Sequence, residues 1–207
     1  MEPIKHLRLL MKQVLKNIMD FTGAILAIIV FTPLFILIPI LIKLDSSGPV
    51  LFKQKRCGRD GREFDMYKFR SMVRDAPELR EDLKSEVDGS VFKVKDDPRI
   101  TRVGRFLRRT SLDELPQVFC ILRGDMSMVG PRPLADAEMS ADREWKRVRL
   151  SVKPGLTGLW QVKGRGMRDF SNWIRYDTEY VRKRSIFMDV KIIAMTVWTV
   201  IKGKGAY

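Results

Sequence analysis

The sequence predicts a mainly helical α+β chain held on a membrane as a monotopic protein, and three observations carry that prediction. Residues 21–42 run without a charge, long enough to reach through a bilayer core, yet Thr32-Pro33 interrupts the middle and Pro39 follows. Basic residues flank the run on both sides, Lys5, Arg8, Lys12 and Lys16 before it and Lys43, Lys53, Lys55, Arg56 and Arg59 after it, so both ends read as cytoplasmic. Two strand-like stretches joined by Gly58-Arg59-Asp60-Gly61 place a small β-hairpin in an otherwise helical pattern.

A spanning helix would carry one basic cluster across the bilayer. The flanking charge therefore favours an N-terminal re-entrant helix-break-helix, entering and leaving by the same leaflet, over a single-pass anchor. Each proline removes a helix hydrogen bond and clashes with the preceding turn, so a kink is expected near Thr32. The Thr32 hydroxyl can return to a carbonyl of that turn, which makes the bend tolerable in lipid. A cleaved signal peptide is a poor match, because the apolar run is too long and no small-residue cleavage pattern follows it.

Ahead of this run, Ile4, Leu7, Met11, Val14 and Ile18 recur every three or four residues with basic residues between them, the pattern of an interfacial amphipathic helix. Residues 50–54 and 63–69 are the two strands. Pro77 starts a helix through Glu78–Glu86, which Asp88-Gly89-Ser90 ends. Val103, Phe106 and Leu107 predict a short helix, and Leu115, Val118, Phe119, Ile121 and Leu122 a second. The stretches around Trp145 and Trp173 read as helices. A C-terminal stripe over residues 187–202 (Val190, Ile193, Ala194, Val197, Trp198, Ile201) is either core packing or a second interfacial helix, and Trp198 beside Lys202 and Lys204 favours the interface.

Composition limits the chemistry. The chain has 207 residues and a formal net charge of +14, which calls for a polyanionic partner: nucleic acid, anionic lipid or a phosphorylated substrate. Aromatics are not interleaved with the basic runs, and the membrane segment argues against nucleic acid. The single histidine, His6, and the two distant cysteines, Cys57 and Cys120, give no zinc spacing and no disulfide scaffold. Any metal must take oxygen ligands, as Mg²⁺ does.

Thr110-Ser111-Leu112-Asp113-Glu114-Leu115 puts two carboxylates after Arg105, Arg108 and Arg109. One reading is a capping box, Ser111-x-x-Glu114, in which the acids only close a helix start. The other is catalytic: a helix start keeps a carboxylate ionised and attracts phosphate, and an ionised Asp113 can attack phosphorus to form an acyl phosphate, with Mg²⁺ offsetting the charge of both partners. Adjacent positions point apart, so the two acids take separate roles rather than sharing a proton. Gly130-Pro131-Arg132-Pro133 holds an arginine between two residues of fixed φ, able to aim a guanidinium at a phosphate. The segment from Lys153 to Arg165, with four glycine or proline breakers, reads as a ligand-shaping loop.

Read together, these motifs resemble the monotopic phosphoglycosyl transferases, the bacterial sugar transferase family. The resemblance covers nearly the whole chain and rests on Phe31-Thr32-Pro33, Tyr67-Lys68-Phe69-Arg70-Ser71-Met72, Thr110 through Leu115, Gly124-Asp125-Met126-Ser127 through Pro133, and Lys153 through Arg165. It implies transfer of a sugar-1-phosphate from a UDP-sugar to polyprenyl (undecaprenyl) phosphate with release of UMP, on the cytoplasmic face of the bacterial inner membrane. It implies Asp113 as the nucleophile, Mg²⁺ at Asp113 and Glu114, and Glu114 as metal neighbour or base. Arg108 and Arg132 match positions used around substrate phosphates; Lys68 and Arg165 sit in the motifs with less defined roles. Thr32-Pro33 marks the membrane-helix break, with Thr where many relatives have Ser. Residues 1–44 form the membrane part and 45–207 the catalytic domain, including the interfacial helix 187–202. Larger relatives carry a further membrane domain, so the chain is expected to be either a minimal enzyme or the catalytic part of a longer one. The sugar stays open, and the terminal amphipathic helices fit a homo-oligomer interface as well as a lipid surface.

Overall fold

The computed structural model describes residues 2–80, 96–140, 142–164 and 170–202. Its first element, α1, runs unbroken over Glu2–Asp45 with Pro33 and Pro39 inside it. The expected helix-break-helix is therefore replaced by one helix, and the amphipathic N-terminal segment is continuous with the apolar run. Two features explain the continuity. The Thr32 hydroxyl donates to the Ile28 carbonyl at 2.7 Å, the backbone contact anticipated for it. The body-facing side also keeps helical spacing straight through the prolines, with Asp20, Ala24, Ile38 and Ile42 buried. The opposite side leaves Leu26, Ile29, Val30, Ile36, Leu37 and Ile40 exposed. Residues 10–45 are long and apolar enough to cross a membrane.

The hairpin forms as expected. Strand β1 (Leu51–Cys57) pairs antiparallel with β2 (Glu63–Phe69), Leu51 opposite Phe69 and Cys57 opposite Glu63. Asp60 and Gly61 take positive φ, 59° and 77°, in the turn between them. Glu78–Arg80 form a 3-10 turn; the rest of the helix expected to residue 86 lies outside the described residues. Then come α2 (Arg102–Thr110) and α3 (Gln117–Leu122), the two short helices anticipated on either side of the acidic pair. Helices α4 (Arg143–Leu150) and α6 (Phe170–Lys183) carry Trp145 and Trp173, and α7 (Ile186–Ile201) is the C-terminal stripe.

A second sheet has no counterpart in the sequence reading. Strand β3 (Ser127–Val129) pairs in parallel with β4 (Gly155–Thr157), followed by α5 (Leu159–Lys163). The two glycine- and proline-rich segments meet here backbone to backbone. Gly130 N donates to the Thr157 carbonyl and Gly155 N to the Pro131 carbonyl, each at 2.9 Å. A Cβ on Gly155 would overlap the Gly130 backbone, so glycine is required by the closeness of the two chains.

Helix α1 is stitched to this body at both ends. Asp20 Oδ1 accepts from Met128 N at 3.0 Å, and Lys16 bridges Asp20 and Asp189 of α7 at 2.9 and 2.7 Å. At the far end Asp45 Oδ2 accepts from Val103 N at 2.9 Å, while the buried Arg70 donates to the Ser46 carbonyl at 2.7 Å. Between these ends Phe64, Met66, Cys120 and Ile121 cover Ala24, and Phe69 and Leu107 cover Ile38 and Ile42. On α7, Asp189 and Ile192 face the body and Ile193 packs beside them, whereas Phe187, Val190, Val197 and Trp198 are exposed, so most of its apolar stripe is turned away from the core.

Candidate active site

Four elements converge on the acidic pair. Helix α2 ends at Ser111, whose left-handed backbone (φ 59°) reverses the chain into a 3-10 turn over Leu112–Glu114. This geometry removes the capping-box reading: Ser111 closes α2 and makes no side-chain cap to the turn, and α3 begins only at Gln117 behind Pro116. Asp113 and Glu114 therefore lie in a single 3-10 turn rather than at the start of α3, and burial and neighbouring side chains set their charge.

Strand β2 supplies Lys68, and the segment after β3 supplies Arg132. Both cations bind the same oxygen, Glu114 Oε1, Lys68 Nζ at 2.8 Å and Arg132 Nη2 at 3.0 Å. Burial alone would raise the Glu114 carboxyl, yet Arg132 and Lys68 together hold it well below the usual carboxylate range. Held ionised, Glu114 is a poor proton acceptor and a good neighbour for a cation, which favours the metal-neighbour role over the base role. Asp113 is in the opposite state. It is 9% exposed and makes no hydrogen bond or ion pair among the described residues. Burial pushes its carboxyl up to about 6, Lys68 opposing and Glu114 adding to the rise, with Arg108 and Arg132 also pulling down. Two adjacent acids are thus driven apart by their surroundings, the pattern of groups with different tasks.

Of the residues singled out from sequence, Asp113, Glu114, Lys68 and Arg132 come together directly. Arg108, in the last turn of α2, acts on Asp113 through its charge. Arg165 lies outside the described residues. Among the described residues no group of three or more His, Cys, Asp or Glu could hold a metal alone. A site of two carboxylates completed by substrate phosphate oxygens and water suits Mg²⁺, and the unpartnered Asp113 beside the ionised Glu114 fits that donor set.

Sequence reading missed the polar core behind Arg132. Arg149 of α4 is buried; it donates to the Arg132 carbonyl, lies 4.5 Å over the Trp145 ring and 3.7 Å from Asp177 of α6. Burial pushes Asp177 up to about 6 against the pull of Arg149, and Trp145 Nε1 donates to it at 3.2 Å. Arg56 of β1 pairs with Glu138, which also accepts from Ala135 N at 2.7 Å. Nothing in the local pattern of α4 marks Arg149 among its basic neighbours.

The family model described as bacterial sugar transferase matches residues 11–203, a span holding every element that builds the site. The chain belongs to the bacterial sugar transferase family. Within this family it is 44% identical over 194 residues to the galactosyl transferase CpsE of Streptococcus agalactiae, covering 92% of this chain and 43% of the relative. It is 41% identical over 200 residues to the undecaprenyl-phosphate galactose phosphotransferase of Salmonella typhimurium, covering 93% and 42%. It is 38% identical over 198 residues to the exopolysaccharide production protein ExoY of Rhizobium meliloti, covering 93% and 88%. This sugar transferase chain spans less than half the length of the first two relatives and most of the third.

Proposed function

We propose that this sugar transferase moves a sugar-1-phosphate from a UDP-sugar to polyprenyl (undecaprenyl) phosphate, an early membrane step of bacterial polysaccharide assembly. The observation that carries the reading is the buried Asp113 carboxylate, left without a partner while Glu114 takes both Lys68 and Arg132. A free carboxylate walled by cations is the arrangement a phosphoryl acceptor needs.

An Asp113 oxygen attacks the β-phosphorus of the donor. A carboxylate O–P bond forms as the bridging P–O bond breaks, and UMP leaves with the bridging oxygen. A phosphate oxygen of the polyprenyl acceptor then attacks the same phosphorus and frees the carboxylate, giving polyprenyl-diphosphate-sugar. Arg132, Lys68 and Arg108 balance the charge of the diphosphate, and the half-exposed Arg132 is within reach of an entering ligand. Asp113 and Glu114 would hold Mg²⁺, which when bound supplies charge neutralisation between carboxylate and diphosphate.

The stitching of α1 supports a same-leaflet, monotopic placement on the cytoplasmic face. The body follows the helix from Asp20 to Asp45, about 37 Å at the usual rise, so a helix standing across the bilayer would draw the polar body into lipid with it. The exposed apolar faces of α1 and α7, with Lys202 Nζ 4.2 Å over the Trp198 ring, suit the bilayer interface.

The test is UMP release from a panel of UDP-sugars with Mg²⁺ or EDTA, with and without undecaprenyl phosphate, for the intact chain and Asp113→Asn. Lipid-dependent UMP from one donor, lost with EDTA and in the variant, is expected. Undiminished turnover by Asp113→Asn would refute the covalent route, and no UMP from any donor would refute the proposed reaction.

A further inference from the structure

The backbone that presents Arg132 is tied down carbonyl by carbonyl. Pro131 and Pro133 fix φ on either side, and Pro133 restricts Arg132 to extended backbone. The Pro131 carbonyl accepts from Gly155 N at 2.9 Å and the Leu134 carbonyl from Cys57 N at 2.9 Å. Between these two, the Arg132 carbonyl is bound by a side chain, the Arg149 guanidinium.

Arg149 is costly to keep where it is. Its side chain is 3% exposed, its Nη1 has no partner among the described residues, and its counter-ion Asp177 stands 3.7 Å away and 2% exposed. Trp145 caps the guanidinium face at 4.5 Å, and Trp145 itself packs edge-on against Phe170 and Trp173. A buried ion pair of this kind is weak support for stability, since apolar residues of similar size serve as well or better. What the guanidinium adds over an apolar residue is a rigid donor aimed at one carbonyl oxygen. Arg149 and Arg132 also line one small cavity together with Pro131 and Pro154, so displacement of one changes the wall of the other.

We propose that Arg149 is a positioning residue: it fixes the Arg132 backbone so that the Arg132 guanidinium meets Glu114 and, in the reaction, the donor diphosphate. The inference rests on the reading of Arg132 as a phosphate-binding residue. It assigns Arg149 no contact with substrate; its effect passes through Arg132.

The experiment is a double-mutant cycle of UMP release on the full chain, with Arg149→Gln, Arg132→Gln and the pair. Arg149→Gln alone is expected to lower kcat/KM about ten- to a hundred-fold, the scale of a small misplacement of a charge-stabilising group. In the Arg132→Gln background the same change is expected to cost less than about three-fold, because the group it orients is gone. Equal losses in both backgrounds would overturn the proposal. Since Arg149→Gln leaves Asp177 without its counter-ion, the variant Arg149→Met/Asp177→Asn removes both charges together. It is expected to keep the wild-type melting temperature and reproduce the activity loss; wild-type activity in it would overturn the proposal. A readout independent of turnover is the side-chain ¹⁵Nε–H resonance of Arg132, assigned by its loss in Arg132→Gln. It should shift and broaden in Arg149→Gln, and an unchanged resonance counts against the positioning role. A wild-type chain that releases no UMP from any donor refutes the reaction instead, and the resonance still decides the role of Arg149.

Discussion

Lys68→Met is the most informative single change at the site, because Lys68 pulls both carboxylates toward the ionised form. Its Nζ is 2.8 Å from Glu114 Oε1, and its charge is the largest force opposing the rise of Asp113. Methionine keeps the length of the stem and removes the charge. Loss of that charge removes the largest pull on Asp113, so its value should rise above about 6. The sign follows from the chemistry. On the proposed covalent route only the ionised carboxylate attacks phosphorus, so kcat/KM is expected to rise with pH through the Asp113 value and to be flat above it. Wild type should show an acid limb near pH 6 and Lys68→Met one at higher pH, so the variant loses most on the acid side and recovers part of its deficit as pH rises. Any loss left on the plateau measures direct contact between Lys68 and substrate phosphate. The assay is UMP release with the preferred donor across about pH 5.5–9, with Mg²⁺ held constant. An acid limb that stays in place, or moves down, would refute the account of how Lys68 sets Asp113.

Because burial holds Asp113 at about 6, above its unfolded value near 3.8, the ionised form costs folding free energy at neutral pH, on the order of 1–3 kcal/mol. Asp113→Asn should therefore be inactive yet more stable above pH 6, with the advantage fading as pH falls from about 6 to about 4; equal melting curves of the two proteins at every pH would argue against a desolvated carboxylate. For topology, single cysteines at Gln13 and Ser47, with the buried Cys57 and Cys120 replaced by serine or alanine, should both react with an impermeant thiol reagent from the cytoplasmic side of inverted vesicles. Labelling of one position from each side would establish a spanning helix instead.

The elements legible in the sequence are those whose signal is local. The hairpin announces itself by glycines on either side of a turn, and Gly61 takes the positive φ that turn needs. Helices α2 and α3 show apolar spacing within nine and six residues, and the α7 stripe faces outward as its Trp198 and terminal lysines implied. The failures are non-local. Three-residue strands such as β3 and β4 carry no period of their own and exist because Gly130 and Gly155 let two distant segments touch. The α1 prolines signal a break by their chemistry, but the body packed along one side holds the helix in register. Ser111-x-x-Glu114 fits a capping box as a string, whereas the folded chain sends Glu114 to Lys68, 46 residues away.

On the proposed covalent route, the division of labour between Asp113 and Glu114 accounts for two acids standing where one nucleophile is needed. Had Lys68 and Arg132 paired with Asp113, they would have stabilised its ionised form in the ground state and lowered its reactivity toward phosphorus. Glu114 takes them instead, as their shared acceptor at 2.8 and 3.0 Å, and keeps two buried or half-buried cations in place without touching the nucleophile. A donor diphosphate brings more negative charge than one carboxylate and can draw on the same cations as it arrives, most directly on Arg132, whose side chain is 36% exposed against 18% for Lys68. On this account Glu114→Gln should harm the reaction chiefly by releasing Lys68 and Arg132 toward Asp113, and the strict placement of Arg132 matters because it must serve Glu114 before the substrate enters and the phosphate after it.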